Sequence, residues 1–317
     1  MSAPSTKGNV LAIRGGAIGD FVLTLPSLKA LRDAFPGTPL DLLATPSVAP
    51  LGIAAGIARE VFSLGDPDLA QFFVPNHPSP PPRWKERFSQ YSIIVSWIYD
   101  PDNHFHENIK RCGVETVLRG IHKVDDHLQV HATKQLSSCL EKLAIFGDPP
   151  SFSFPSAVQR SAADTPSSKI AIHPGSGSPS KNWGYENWAA IAEDLWKNSE
   201  PSAPLSILHG EAEEETIDQF FQLLRERSVP WESVRRSLAD LPDFLSSCRL
   251  FLGHDSGISH LAAACRVPCG LIFGPTDPAI WSPQYPHVRT WRAPSGSLLQ
   301  VSREEVLTGA RQLLTKR

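Results

Sequence analysis

The feature that most constrains this chain is an alternation of short apolar runs with segments of helical spacing, played through twice. NVLAIR (9–14) reads as a buried strand. GGAIGD follows as a glycine-rich turn, and FVLTLPSLKALRDAF as a helix with Val22, Leu25, Leu28, Leu31 and Phe35 on one face. Pro26 is expected early in that helix, where a missing N–H costs little. PGTPLDLLAT supplies a second strand, SVAPLGIAAG a short helix, REVFSL a third strand and YSIIVSWIYD (91–100) a core strand. KQLSSCLEKLAIFG (134–147) reads as a helix ending at Gly147, and the proline-rich stretch 75–82 as a stiff exposed loop.

Residues 148–169, rich in Pro, Ser and Ala, read as an interdomain linker, after which the alternation restarts. KIAIHP, PLSILHG, RLFLGHD and CGLIFG are strands; YENWAAIAEDLWK, EEETIDQFFQLLRER, LADLPDFLSSC and GISHLAAACR are helices; EEVLTGARQLLTKR closes the chain. Such a plan implies parallel, doubly wound α/β sheets. A chain of 317 residues suits two domains of ordinary size, 1–155 and 156–317, with the last helix free to pack back on the first. The halves share a strand plan without a clear sequence repeat.

Composition narrows the function. An apolar fraction of 41% and a charged fraction of 20% fit a soluble globular protein, and a net charge of −3 argues against a nucleic-acid footprint. Cys112, Cys139, Cys248, Cys265 and Cys269 have no zinc or disulfide spacing and read as free thiols of a reducing compartment. MSAPSTKGNV lacks an apolar signal core, and VAPLGIAAGIA (48–58) is too short to span a bilayer. A cytoplasmic location is expected, with peripheral contact at the inner membrane compatible with it.

Three segments carry chemistry. In RGGAIGDFVLTLP (14–26), Gly15, Gly16 and Gly19 lie between strand and helix, where glycine lets a ligand approach the backbone. Asp20 follows at the helix start, at the carboxyl end of the strand, either as a helix cap or as a catalytic carboxylate. In HPGSGSPSKNWGYENW (173–188), a loop of small residues leads to Lys181; it is either a phosphate cradle or a turn with a solvated lysine. In FLGHDSGISHLAAACRVPCGLIFGPTDPAIWSP (251–283), Ser256 and Gly257 open a helix whose N–H groups and dipole favour an anion such as a diphosphate. Asp255 suits a ribose or sugar hydroxyl, or fixes the loop; His260 on the first turn is a core histidine or a ligand contact.

Together these three segments resemble glycosyltransferase family 9, the heptosyltransferase family, in their order and spacing. The resemblance implies a GT-B fold: two Rossmann-like doubly wound domains facing across a cleft. It implies a donor, ADP-L-glycero-D-manno-heptose in the best-known members, in the C-terminal half and a lipopolysaccharide inner-core acceptor in the N-terminal half. Transfer would be inverting and metal-independent, with no cofactor beyond the nucleotide-sugar substrate and no nucleic-acid partner. The family's catalytic aspartate falls on Asp20 and its diphosphate lysine on Lys181, with Ser176 and Gly177 in the preceding loop. Its donor motif falls on Asp255, Ser256, Gly257, Ser259 and His260, with Thr276 of GPTDP added to the donor set. An acidic residue contacting the ribose falls on Glu211 or Glu213, between which the sequence does not choose.

In this reading Asp20 takes the proton of the attacking hydroxyl, a step worth about 10²–10⁴ in rate. Lys181 and the Ser256–Gly257 helix start stabilise charge on the departing diphosphate. The segment from Trp84 to Val130 departs from the family: Arg83, Lys85, Arg87, Lys110, Arg111, Arg119 and Lys123 are interleaved with Asp100, Asp102, Glu107, Asp125 and Asp126. A phosphorylated acceptor calls for a clearer basic face. A GT-B-like sugar-nucleotide epimerase, a nicotinamide-dependent oxidoreductase and a non-catalytic sugar-nucleotide-binding protein are the alternatives; GGAIGD lacks the full dinucleotide fingerprint.

Overall fold

The computed structural model describes residues 8–76, 80–155, 169–198 and 203–315. The chain divides into two compact units, Met1–Phe152 and Ser153–Arg317. The first holds a five-stranded sheet of β1 (Asn9–Arg14), β2 (Leu40–Ala44), β3 (Val61–Ser63), β4 (Tyr91–Ser96) and β5 (Thr116–Arg119), in the order β3-β2-β1-β4-β5. Every pairing is parallel. The order reverses at β1/β4, so the carboxyl ends of those strands form a topological switch point, where open α/β sheets bind ligands.

The second unit repeats the scheme with β6 (Ile170–Ile172), β7 (Leu205–Leu208), β8 (Trp231–Val234), β9 (Leu250–His254), β10 (Cys269–Phe273) and β11 (Val288–Arg292). Their order is β11-β10-β9-β6-β7-β8, again all parallel, with its switch point at β6/β9. Ile172 pairs with Leu252, so β9 runs two residues beyond β6 and carries His254 alongside the loop leaving β6.

The helices of the first unit are α1 (Ile18–Ala34), α2 (Ala49–Ala54), α3 (Pro82–Phe88), α4 (His104–Lys110) and α5 (Ala132–Ser137). Those of the second are α6 (Tyr185–Asn198), α7 (Ile217–Glu226), α8 (Leu241–Ser246), α9 (Gly257–Ala264), α10 (Pro278–Trp281) and α11 (Arg303–Thr315). Aromatic side chains dominate the first core: Phe72, Trp84, Phe88 and Phe105 pack edge-on or tilted, each fully or nearly fully buried. Each such ring contributes roughly 1.5–3 kcal/mol of burial. In the second unit α11 lays Val306, Ala310 and Leu313 into a core shared with α6 and the sheet.

Several expectations need correction. Helix α1 begins at Ile18, so Pro26 is its ninth residue and not an early one; its missing N–H leaves the carbonyl of Val22 without that helical partner. The helix is buried almost all round through Leu28, not along one stripe. The segment 134–147 is a short α-helix continued as a 3-10 turn over Ser138–Leu143, and Ala144, at φ +57°, ends it before Gly147. In the proline-rich stretch 75–82, positions 77–79 lie outside the described residues, and Pro82 opens α3 at a position where its missing N–H costs nothing. Most of the expected linker, 156–168, also lies outside them; its leading part buries Phe152 and Phe154. Strands β5, β8 and β11 escaped the sequence reading because each is a sheet edge with half-exposed, polar positions and no apolar run.

Candidate active site

At the β1/β4 switch point one residue organises the carboxyl edge. Arg14 ends β1 and is 2% exposed. Its guanidinium donates to the carbonyls of Trp97 (3.0 Å), His122 (3.2 Å) and Asp20 (3.2 Å), and lies 3.5 Å from the Asp20 carboxylate. One buried cation thus ties together the loops that follow β1, β4 and β5. Burial lowers the Arg14 pKa and the Asp20 carboxylate opposes that shift. Sequence reading passed over Arg14; the available signal was a charged residue closing an otherwise apolar strand.

Asp20 occupies the third position of α1 and accepts a hydrogen bond from Ala17 N at 3.1 Å, so it is a helix cap as well as a candidate base. Its side chain is 39% exposed, and Oδ1 faces Arg14 only at ion-pair distance. Gly16 has φ +101°, and a Cβ there would stand 2.7 Å from Asp20 Oδ2, so only glycine lets the carboxylate lie across the turn. Gly15 and Gly19 border the same turn.

At the β6/β9 switch point the charges are reversed. Asp255, 6% exposed, follows β9; it accepts hydrogen bonds from Lys181 Nζ (2.6 Å) and Thr276 Oγ1 (2.7 Å), with His260 Nε2 at 4.0 Å. Lys181 remains 28% exposed. The structure therefore brings Lys181 to Asp255, 74 residues on in the sequence, with His260 and Thr276 from the same later segment. Ser256 caps α9 by accepting from Ser259 N (3.3 Å), and Gly257 opens the helix partly exposed.

Two other expected donor residues, Ser176 and Ser259, have their hydroxyls engaged within the protein. The Ser259 hydroxyl bonds the His254 carbonyl. Ser176 is buried, its hydroxyl 2.8 Å from Ser178 O and 2.7 Å from Asn182 Oδ1, which closes the loop on itself. Gly177 is exposed at the loop tip. Glu211 and Glu213 are separated clearly: Glu211 is exposed, whereas Glu213 is buried, with Oε2 accepting from Gly210 N at 2.8 Å. Its Oε1 lies 3.8 Å from His173 Nε2. A Cβ on Gly175 would stand 2.3 Å from Glu213, so glycine is needed for the loop to lie on that carboxylate.

His254 is the second residue that sequence reading passed over. It is fully buried; Nε2 accepts from Trp183 N (2.7 Å) and Trp188 Nε1 (3.1 Å), which leaves Nδ1 to donate to Gly175 O (3.3 Å). Burial pushes its pKa down to about 3, so the ring is neutral and keeps this single tautomer. It fastens both ends of the Lys181 loop to β9. His173 is also lowered by burial, against the opposing effect of Glu213, and its Nδ1 has no hydrogen-bond partner among the described residues.

Comparison with known proteins identifies the fold and the family. Relatives include lipooligosaccharide heptosyltransferase 2 of Campylobacter jejuni, 29% identical over 34% of each chain. The same-named protein of Haemophilus influenzae is 28% identical over 43% of this chain and 39% of that one. The matched stretches thus span two fifths or less of these curated relatives. Among solved structures, a glycosyl transferase family 9 protein of Veillonella parvula superposes with a TM-score of 0.75 over 97% of both chains at 16% identity. E. coli ADP-heptose lps heptosyltransferase II gives 0.74 over 96% of this chain and 98% of that one, at 15% identity. These superpositions carry the fold, which is of the GT-B class. The model of the family described as glycosyltransferase family 9 (heptosyltransferase) matches residues 121–310, well over half of the sequence and all of the Lys181–Asp255–Thr276 constellation, and this chain therefore belongs to that family.

Proposed function

We propose that this chain transfers a sugar, heptose, from ADP-heptose to a hydroxyl of a saccharide acceptor of the lipopolysaccharide or cell-envelope class, with inversion and without a metal. The observation that carries the reading is the opposition of charge at the two switch points. One presents a half-open carboxylate backed by a buried guanidinium, the other a half-open ammonium backed by a buried carboxylate. The first suits a group that receives a proton from a hydroxyl; the second suits a diphosphate.

In the proposed step the acceptor oxygen attacks the anomeric carbon while its proton passes to Asp20. The bond from that carbon to the diphosphate oxygen breaks on the opposite face, and the bonding pair leaves with ADP. Lys181 and the N–H groups at Ser256–Gly257 meet the charge that builds on the leaving group. Asp255 holds Lys181 and Thr276 in place, with His260 beside it. Glu213, in the 3-10 turn that follows the second strand of its Rossmann half, is assigned to the ribose in preference to the exposed Glu211. The work is that of a cytoplasmic enzyme, peripheral at the inner-membrane face if its acceptor is a glycolipid.

The test is a thermal-shift comparison of ADP, UDP and GDP, followed by product analysis with ADP-heptose and saccharide acceptors. ADP preference and an inverted glycoside are expected. Preference for UDP or GDP refutes the donor assignment, and conversion of the donor without any acceptor identifies an epimerase instead.

A further inference from the structure

We propose that Tyr99, beside His122, is the acceptor platform of this protein: an uncharged pyranose ring lies with its C–H face on the phenol ring, on the loop that Arg14 ties to Asp20. The inference rests on the acceptor lying at the β1/β4 switch point, as in the function proposed above.

Tyr99 sits three residues beyond the end of β4 and is 64% exposed, between the buried Trp97 and the buried Asp100. Single exposed aromatics are common and need no explanation. This one differs because the chain on either side of it is fixed. Trp97 is held by its carbonyl to Arg14 (3.0 Å) and by its indole N–H to Leu136 O (2.8 Å). The Asp100 carbonyl accepts from Arg119 (2.6 Å), and its carboxylate from the backbone N (3.1 Å) and ring Nδ1 of the buried His106. The Tyr99 ring meets the His122 imidazole edge-on, centroids 4.8 Å apart, and the His122 carbonyl is itself an Arg14 acceptor. The guanidinium beside the Asp20 carboxylate therefore also holds the backbone of His122 and, through the Trp97 carbonyl, the segment that carries Tyr99. An exposed ring on so fixed a backbone offers contact area at little entropic cost, and its negative π-face attracts the polarised C–H groups of a sugar.

Charge points the same way. Arg83 is paired with Asp66, Lys110 with Glu107, and Arg119 with the Asp100 carbonyl and Asn103. Arg111 is bound to Asn76 and Asn108, and Arg87 lies over the Phe62 ring beside Glu60. Five of the seven cations that the sequence scatters over this segment are thus engaged within the protein, Lys85 and the exposed Lys123 beside His122 being the other two. The subsite reads the sugar's ring face first, and comparison with a phosphorylated sugar tests what Lys123 adds.

The test uses saturation-transfer NMR on the full chain with methyl α-D-mannopyranoside and its 6-phosphate. Wild type and Tyr99→Phe should transfer saturation to the ring C–H protons of the neutral glycoside at least as well as to those of the phosphate. Tyr99→Ala should bind the neutral glycoside about tenfold more weakly, with an unchanged thermal shift by ADP. The platform is overturned if Tyr99→Ala keeps the transfer, if wild type binds only the phosphate, or if wild type binds neither. Glycoside binding through Tyr99 without any stabilisation by ADP would sink the donor reading and leave the platform standing; the reverse result would do the opposite.

Discussion

The two halves of the molecule use one topology and opposite charge arrangements. At β1/β4 the buried partner is a cation, Arg14, and the half-open one a carboxylate, Asp20. At β6/β9 the buried partner is a carboxylate, Asp255, and the half-open one a cation, Lys181. A buried ion costs several kcal/mol unless it is satisfied, and each is: Arg14 by backbone carbonyls, Asp255 by Lys181 and Thr276. The comparison teaches that the sheet supplies a position while the buried ion sets the sign of what is offered there.

The largest effect expected from breaking this opposition is on turnover. Asp20→Asn keeps the cap geometry and the side-chain volume but removes the proton acceptor. It should lower kcat by about 10²–10⁴-fold and leave the ADP dissociation constant, measured by calorimetry, unchanged. A kcat within a few-fold of wild type would reduce Asp20 to the cap that its bond from Ala17 already makes it. Next is Lys181→Met, which should weaken ADP by roughly 10–100-fold, the worth of a charge-assisted hydrogen bond. It also strands the buried Asp255. The double variant Lys181→Met/Asp255→Asn should therefore recover melting temperature without recovering affinity. Recovery of both would show the pair to be architectural.

A smaller effect concerns pH. His254 has a folded pKa depressed to about 3, below the ordinary value near 6.5. Between these values the unfolded chain binds the proton and the folded chain does not, so stability is fully present above about pH 6.5 and is lost on acidification. From pH 7 to pH 5 this one ring costs roughly 2 kcal/mol. His173, lowered in the same direction, adds to the loss. His254→Gln should flatten the dependence of melting temperature on pH over that window; an unchanged slope would show that other groups carry it. The first unit has a counterpart in His106, also lowered by burial, so the residual slope of the variant measures the remaining histidines.

How much of this was legible beforehand follows from what sequence periodicity reports. Central strands such as RLFLGHD and CGLIFG are buried along their whole length and read as apolar runs. Edge strands such as WESV do not, because half their positions face solvent. The start of α1 was missed because Ile18 and Gly19 belong to the glycine turn by composition and to the helix by hydrogen bonding. Asp20, Lys181 and Asp255 stood out by their motifs, but the buried Arg14 and His254 did not. Arg14 and His254 each close a strand, and their importance comes from carbonyl and amide partners distant in the chain, such as His122 and Trp183. Backbone partners leave no residue type for a sequence reader to notice. Glu211 and Glu213 are alike in composition, and only burial separates them.

That separation gives the smallest and sharpest test. Glu213 places one oxygen on Gly210 N and leaves Oε1 at 3.8 Å from His173, beneath the loop that carries Lys181. Glu213→Gln should weaken ADP only about three- to tenfold, the worth of one or two ordinary hydrogen bonds. The loss should shrink when 2′-deoxy-ADP or 3′-deoxy-ADP replaces ADP, because the missing hydroxyl is the group the carboxylate would hold. Glu211→Gln should change neither affinity. Since Glu213 also caps its own turn, a loss equal for ADP and both deoxy analogues would assign it to loop support alone. A ribose-dependent loss in Glu211→Gln would move the contact to the exposed residue and break the rule that buried partners set what each switch point presents.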